Sequence, residues 1–250
     1  PASDHARSSM DRRGILFIIS APSGTGKTTL CKQLAANLPG LWHSISYTTR
    51  KPRPGEEHGR EYYFIEEQPF RDMIARNEFV EWAHVYGHLY GTPRKSLTEK
   101  TEQGIDVLLE IDVQGAMQVK KRFEDSVAIF ILPPSMTVLR ARLQARASDT
   151  ADEIQRRLNK VKEEVWSYRE YAYVVRNEDL GQSLRDLESI FWSERLKTKR
   201  LNMGWMSSGL VCVILFCLHR FAMFSCWKWR LTAKAAQNWP MHGNESRCAS

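Results

Sequence analysis

Residues 20–29 have the residue types and spacing of a phosphate-binding loop. They read Ser-Ala-Pro-Ser-Gly-Thr-Gly-Lys-Thr-Thr and directly follow the apolar run 15–19. A strand, a glycine-bearing loop and a helix start in this order bind polyphosphate, because loop N–H groups and the helix dipole favour anions. The pattern puts Lys27 on the outer phosphates and the Thr28 hydroxyl on Mg²⁺. Ala21 replaces the usual first glycine, which suits the loop only if Ala21 avoids positive φ.

A second group of residues has the chemistry of a separate phosphate site. Arg50 and Arg53 are held by a rigid Pro-Arg-Pro-Gly turn over residues 52–55, and Tyr62 follows them. Guanidinium groups bind phosphate oxygens bidentately and stay charged at any working pH. Two arginines in a loop also occur as solvated surface residues, so this segment alone leaves both interpretations open.

The elements around these residues predict an α/β fold with a mainly parallel sheet. Strand-like and helix-like segments alternate along the body of the chain. Between residues 40 and 92 the pattern changes to short β-type runs, which indicates a small inserted lobe. Strands are predicted near 15–20, 107–112, 127–132 and 172–176. Helices are predicted near 27–37, 67–77, 94–103, 114–122, 135–146, 151–169 and 181–199.

Charge and cysteine content separate the body from the last fifty residues. The chain has a net charge of +7, but residues 201–250 hold five basic residues and one acid. Residues 1–200 therefore carry only +3, which argues against a nucleic-acid partner. Cys31 is the only cysteine in residues 1–200, which favours a reducing, cytoplasmic compartment.

Residues 201–250 differ in kind from the body: they hold four of the eight Trp residues, which follow no helical or alternating period. The ten-residue apolar run 209–218 is interrupted by His219 and Arg220, whereas a spanning helix needs about 20 continuous apolar residues. The favoured interpretation is a non-homologous extension. A membrane anchor over 205–227 and an additional packed helix are the alternatives.

Four motifs in order give the body its resemblance to a known family. They are the loop S-A-P-S-G-T-G-K-T-T, the run S-x-T-T-R-x-P-R-P-G-E-x-x-G-x-x-Y-x-F from Ser46, N-E-F-V-E-W-A-x-V-Y-G-x-x-Y-G-T from Asn77, and L-x-I-D-V-Q-G-A from Leu109. From about Arg13 to Lys199 the chain resembles bacterial-type guanylate kinases. The resemblance implies a P-loop NTPase-type parallel sheet flanked by helices, an inserted mixed α+β GMP-binding lobe and a helical lid.

The resemblance also implies a division of the chain. Residues 1–12 would be an extension, and 201–250 a tail outside the family. Within the domain 13–200, the expected parts are a core of 13–42, 93–132 and 170–200, a GMP lobe of 43–92 and a lid region of 133–169.

Site residues follow from the same resemblance. Those expected to bind ATP are Ser23, Gly24, Thr25, Gly26, Lys27, Thr28, Thr29 and Asn177, with Thr28 on Mg²⁺. Those expected to bind GMP are Ser46, Arg50, Arg53, Tyr62, Glu81, Tyr90, Thr92 and Asp112. Those expected to act in catalysis are Lys27, Arg50, Asp112 and the lid arginines Arg142, Arg146 and Arg157.

Glu81 has a chemical argument of its own. Guanine presents two donors on one edge, N1–H and the N2 amine, and one carboxylate can accept both. Adenine has no donor at either place, so a buried Glu81 would be left unpaired against it.

Two positions depart from or extend the family pattern. Glu110 lies two residues before Asp112, on the same strand face, where many relatives carry Asp. Arg146-Ala147 stands where relatives often have Arg-Gly, which affects the flexibility of the lid hinge rather than its charge.

The resemblance implies Mg²⁺-dependent transfer of the γ-phosphoryl group of ATP to GMP, in purine nucleotide metabolism. It predicts ATP and GMP as partners, neither nucleic acid nor membrane, and leaves a homo-oligomer open. The alternative is an inactive guanylate-kinase-like interaction module. Such modules typically have a damaged phosphate loop, whereas Lys27 and Thr28 are both present here.

Overall fold

The computed structural model describes residues 12–144 and 151–200, without the side chains of 151–154 and 156. The expectations for the N-terminal extension up to residue 11, for Arg146 and Ala147, and for the tail 201–250 fall outside the described residues. In the described part, no helix is long and apolar enough to cross a membrane.

Five parallel strands form the central sheet, in the order β2-β7-β1-β8-β9. The order confirms the predicted α/β class with a mainly parallel sheet. The strands are β1 (Leu16–Ser20), β2 (Leu41–His43), β7 (Asp106–Glu110), β8 (Val127–Leu132) and β9 (Tyr173–Arg176).

Seven α-helices accompany the strands in the described residues. They are α1 (Lys27–Asn37), α2 (Glu67–Ala75), α3 (Arg94–Glu102), α4 (Val113–Arg122), α5 (Met136–Gln144), α6 (Ala151–Val165) and α7 (Leu180–Arg195). The helix predicted over 151–169 changes to a 3₁₀ turn at Trp166–Glu170. The helix predicted over 181–199 ends four residues earlier.

The three central strands β7, β1 and β8 are mainly apolar because helices cover both faces of the sheet. Phe17 and Ile19 of β1 pack with Leu34 of α1 and Phe191 of α7. Alternate residues of β1 pack on the other face, among residues of α3 and α4. The rings of Phe17 and Phe191 stack at 3.7 Å between centroids.

The inserted lobe has its own four-stranded sheet, in the order β4-β3-β6-β5. These strands are β3 (Tyr47–Thr48), β4 (Tyr63–Phe64), β5 (Phe79–Val85) and β6 (His88–Pro93). Strands β5 and β6 are antiparallel, with Glu81 paired to Thr92. Phe70 of α2 packs against Phe79 to form the small core of the lobe.

Candidate active site

The predicted phosphate-binding loop connects β1 to α1, which is the strand–loop–helix layout that the sequence predicts. Gly26 precedes the first helical residue with φ of 90°, a left-handed conformation that favours glycine. Ala21 is not among the residues with positive φ, so the condition for alanine at this position is met. The loop is supported from beneath by Asn177, whose buried Nδ2 donates to the Thr25 carbonyl at 2.6 Å.

The first two helical side chains point toward the end of β7. Lys27 Nζ donates to the Ile111 carbonyl at 3.0 Å and lies 4.0 Å from Glu110 Oε1. The Thr28 hydroxyl donates to the same Glu110 oxygen at 2.5 Å. Glu110, which the sequence left without a committed role, therefore contacts the phosphate loop directly.

These oxygens have the chemistry that suits Mg²⁺. Hydroxyl and carboxylate oxygens are hard donors, and Mg²⁺ commonly uses one or two protein ligands together with substrate phosphates and water. Within residues 12–144 and 151–200, no cluster of three or more His, Cys, Asp or Glu side chains could hold a metal ion by itself. Thr28 and Glu110 fit a metal held mainly by a phosphate substrate.

A cavity of about 260 Å³, here called the main cavity, joins the loop to the lobe. It is lined by the loop residues Ser23, Gly24, Thr25, Gly26, Lys27, Thr28 and Thr29, and by Ser46, Tyr62, Glu81, Tyr90 and Asp112 among others. The structure thus brings most of the predicted ATP and GMP residues to one cleft.

A second space, the arginine cavity, adjoins the main cavity and has a volume of about 140 Å³. Arg50 and Arg53 line it, and it shares several lining residues with the main cavity. These are Thr28, Ser46, Tyr62, Tyr90 and Glu110. The two predicted anion sites are therefore neighbours.

Glu56 organises the arginine turn. Its carboxylate accepts from Arg50 Nη2 at 2.9 Å and from the backbone N–H of Arg53 at 2.8 Å. The Arg50 guanidinium also lies 5.6 Å from the ring centroid of Tyr62, a favourable cation–π distance. Burial raises the pKa of the Tyr62 hydroxyl, so this group remains a hydrogen-bond donor at neutral pH.

Glu81 is 3 % exposed at the base of the main cavity. The Thr92 hydroxyl donates to its Oε1 at 2.6 Å, and the Ser46 hydroxyl lies 3.5 Å from that of Thr92. Burial raises the pKa of Glu81 to about 7, and the nearby Asp112 adds to the effect, although the Thr92 hydrogen bond opposes it. The predicted base-binding residues Ser46, Glu81 and Thr92 thus form one buried hydrogen-bonded group.

Asp112 follows β7 rather than ending it, because the strand stops at Glu110. Its Oδ1 caps α4 by accepting from the Gly115 N–H at 2.9 Å. Its Oδ2 is buried and has no hydrogen-bond partner among the described residues. One oxygen therefore holds the helix, and the other adds negative charge beside Glu81.

Helices α5 and α6, in the region expected to form a lid, contribute both predicted and unpredicted residues. Arg142 Nη1 donates to the Thr25 carbonyl at 3.4 Å. The guanidinium carbon of Arg157 and Lys160 Nζ lie 5.3 and 4.6 Å from the ring centroid of Tyr86. Tyr86 lies in the turn between β5 and β6, with φ of 50°. Sequence reasoning missed this contact, although the Tyr-Gly pair of a tight hairpin and the helical spacing of Lys160 after Arg157 were its signals.

Comparison with known proteins decides the family. The profile of the guanylate kinase family matches residues 13–194. The chain belongs to the guanylate kinase family.

Individual guanylate kinases are similar over most of their length. The guanylate kinase of Geobacter metallireducens is 50% identical over 192 residues, which cover 77% of this chain and 95% of that protein. That of Dechloromonas aromatica is 50% identical over 177 residues, covering 71% and 88% respectively. The crystal structure of guanylate kinase from Anaplasma phagocytophilum has a TM-score of 0.68 and 33% identity, and the match covers 80% of this chain and 97% of that one.

Proposed function

We propose that this chain catalyses the reaction ATP + GMP ⇌ ADP + GDP. Its membership of the guanylate kinase family supports this reaction. The observation that carries the proposal is the main cavity, in which Lys27 and Glu81 line the same space. A donor phosphate on the loop and a guanine on Glu81 would face each other across that space.

On the donor side, the loop N–H groups from Ser23 to Thr29 would bind the ATP phosphates, and Lys27 would neutralise the outer ones. Asn177 supports this role by holding the Thr25 carbonyl away from the anion. Arg142 and Arg157 would approach the phosphates from the lid, together with Arg146. The hydrogen bond from Arg142 to the loop supports its part in this role.

On the acceptor side, Arg50, Arg53, Tyr62 and Tyr90 would hold the GMP phosphate in the arginine cavity. Glu56 supports the assignment because it fixes the turn from which both arginines project.

Glu81 would read the guanine base, with Ser46 and Thr92 beside it. Thr92 occupies one Glu81 oxygen with its hydroxyl, which orients the carboxylate. Accepting from two donors at once requires this fixed orientation, and a site built for hydrogen bonds strongly rejects a base that lacks them. Asp112 lies beside this group and would contact the nucleotide at its ribose-phosphate end.

Mg²⁺ would be held by Thr28, with Glu110 next to it, as the donor chemistry described above allows. When bound, the ion offsets the charge of the donor phosphates.

The protein's own contribution is to position and to stabilise charge. Phosphoryl transfer proceeds through a loose transition state whose charge lies on the phosphate oxygens, and the acceptor here is already a phosphate anion. Thus no side chain needs to act as a strong base. Lys27 and the lid arginines would stabilise the transferring group, while Arg50 and Arg53 would aim the acceptor oxygen in line. Closing the lid would exclude water and so limit ATP hydrolysis.

We further propose that the enzyme works in the cytoplasm, in purine nucleotide metabolism, without nucleic acid or membrane as a partner. The buried Cys31, free in the described part of the chain, supports a reducing compartment. The intact phosphate loop gives the inactive interaction module no support.

A coupled assay of ADP release with GMP, dGMP, AMP and UMP as acceptors tests the proposal. We expect transfer to GMP and dGMP, and kcat/KM values for AMP and UMP lower by about 10³-fold or more. In Glu81→Ala, transfer to GMP should fall steeply while the KM for ATP stays within about twofold. Glu99→Ala, on the exposed surface of α3, is the matched control. Equal losses with every acceptor would refute the role of Glu81, and no transfer to GMP by the native chain would refute the function.

A further inference from the structure

Gly115 lies directly behind the Glu81 carboxylate. It is the third residue of α4 and does not have positive φ. A Cβ built at this position would lie 2.4 Å from Glu81 Oε2 and 3.0 Å from its carboxyl carbon. Carbon and oxygen atoms do not approach so closely without bonding, so a side chain at 115 and the present position of Glu81 exclude each other.

Glu81 is held in this position from the opposite side. Its Oε1 accepts the hydrogen bond of the Thr92 hydroxyl, and its backbone is paired to Thr92 within the hairpin. The carboxylate is almost completely enclosed. It therefore has one well-defined arrangement, in which Oε2 fills the space over the bare α carbon of Gly115.

Helix α4 is also held close to Glu81, because hydrogen bonds join it to the two β5 residues on either side of Glu81. Gln118 accepts from the backbone N–H of Trp82 at 3.3 Å and donates to its carbonyl at 2.7 Å. Arg122 donates to the carbonyl of Val80. These bonds hold the helix at the two residues that flank Glu81, so a side chain at 115 would displace the carboxylate rather than the helix.

We propose that Gly115 is a specificity-determining position. Only a residue without a side chain leaves room for the Glu81 carboxylate oxygen in the position from which it would bind the acceptor base. The inference rests on the proposed function and adds to it a residue that acts through the position of Glu81. The Glu81 carboxylate lines the main cavity, so a side chain at 115 would push it into that space, at the loss of its hydrogen bond to Thr92, and leave the backbone of the fold in place. Alanine is also a better helix former than glycine, so the substitution should alter selectivity and leave stability nearly intact.

Gly115→Ala tests this with GMP and IMP as acceptors, since hypoxanthine keeps N1–H and lacks the N2 amine. We expect kcat/KM for GMP to fall by about 10- to 100-fold, the size of one hydrogen bond to a charged group. The preference for GMP over IMP should narrow by about tenfold, while the KM for ATP and the melting temperature stay near their native values. Gly181→Ala is the matched control, because its Cβ would make only ordinary contacts, the nearest at 3.4 Å.

A double-mutant cycle separates selectivity from a general structural effect. In a Glu81→Ala background, Gly115→Ala should have no further effect on GMP transfer, because no carboxylate is left to displace. The same loss in both backgrounds, an unchanged ratio of GMP to IMP, or an unfolded Gly115→Ala protein would each overturn the inference. If the native chain transfers no phosphoryl group to GMP, the proposed function itself fails, which is a distinguishable result.

Discussion

Lowering the pH from 8 to 6 should lower kcat/KM for GMP, because Glu81 becomes protonated over this range. Burial raises the pKa of Glu81 to about 7, and only the ionised carboxylate can accept both guanine donors. A group with this pKa is about nine-tenths ionised at pH 8 and about one-tenth ionised at pH 6. The Glu81 contribution to kcat/KM for GMP should therefore fall by about tenfold between these pH values.

The assay must separate Glu81 from the phosphate groups of the substrates, whose second pKa is about 6. Glu81→Gln supplies this control, because it keeps the substrate titration and removes the carboxylate. Since kcat/KM reports groups of the free enzyme, the ratio of native to Glu81→Gln activity isolates the carboxylate. We expect this ratio to be about tenfold higher at pH 8 than at pH 6. An equal ratio at both values would refute the assignment of Glu81 to the base.

The same group predicts a pH-dependent stability with a definite sign. The pKa of Glu81 is higher in the folded protein than the ordinary 4.5, so the folded state binds more protons between these values. The stabilisation by protonated Glu81 is complete below pH 4.5 and is lost as the pH rises to about 7. A shift of this size corresponds to about 3 kcal/mol. Because glutamine does not ionise, the free energy of unfolding of Glu81→Gln should rise relative to that of the native chain by up to this amount toward pH 8. Urea unfolding of both proteins measures this difference. A difference that stays constant with pH would contradict the burial of an ionised Glu81.

Two further substitutions test the donor site and the fold. Lys27→Ala should lower kcat for ADP release by about 10²- to 10³-fold. GMP binding, measured by calorimetry, should be unchanged. Retained turnover would show that Lys27 is not catalytic. Asp106→Asn should lower the unfolding free energy by about 3–5 kcal/mol, because the buried carboxylate pairs with both Arg12 and Arg195. The exposed Asp125→Asn should change it by less than about 1 kcal/mol in the same urea titration, and equal effects would contradict the special role of Asp106.

The sequence predicts those elements whose local pattern is sufficient. Helix α1 has the predicted bounds, and the four longest strands of the central sheet lie within one or two residues of prediction, because two-sided burial makes them apolar runs. Strand β2 was missed because it has only three residues, all partly exposed, and exists through pairing with β7. The two-residue strands β3 and β4 likewise depend on partners distant in sequence.

The candidate site divides in the same way. The phosphate loop is contiguous in sequence, so its chemistry can be read from residues 20–29. The contact of Tyr86 with Arg157 and Lys160 joins residues more than 70 positions apart, and no local pattern specifies it. The role proposed for Gly115 is harder to predict from the sequence, because it depends on the close approach of Glu81 to the α carbon of this glycine. That distance is known only from the three-dimensional structure.

Asp106 has a consequence for how the protein is made. This fully buried carboxylate accepts from the Ile15 N–H and pairs with Arg12 and Arg195, so it ties the start of β1 to the end of α7. During synthesis from the N-terminus, the β-strands that flank it emerge long before Arg195 does. Until Arg195 leaves the ribosome, formation of the sheet would bury the Asp106 carboxylate without one of its two arginine partners. Burying a charge with incomplete pairing is energetically costly. The final step of folding should therefore wait for α7.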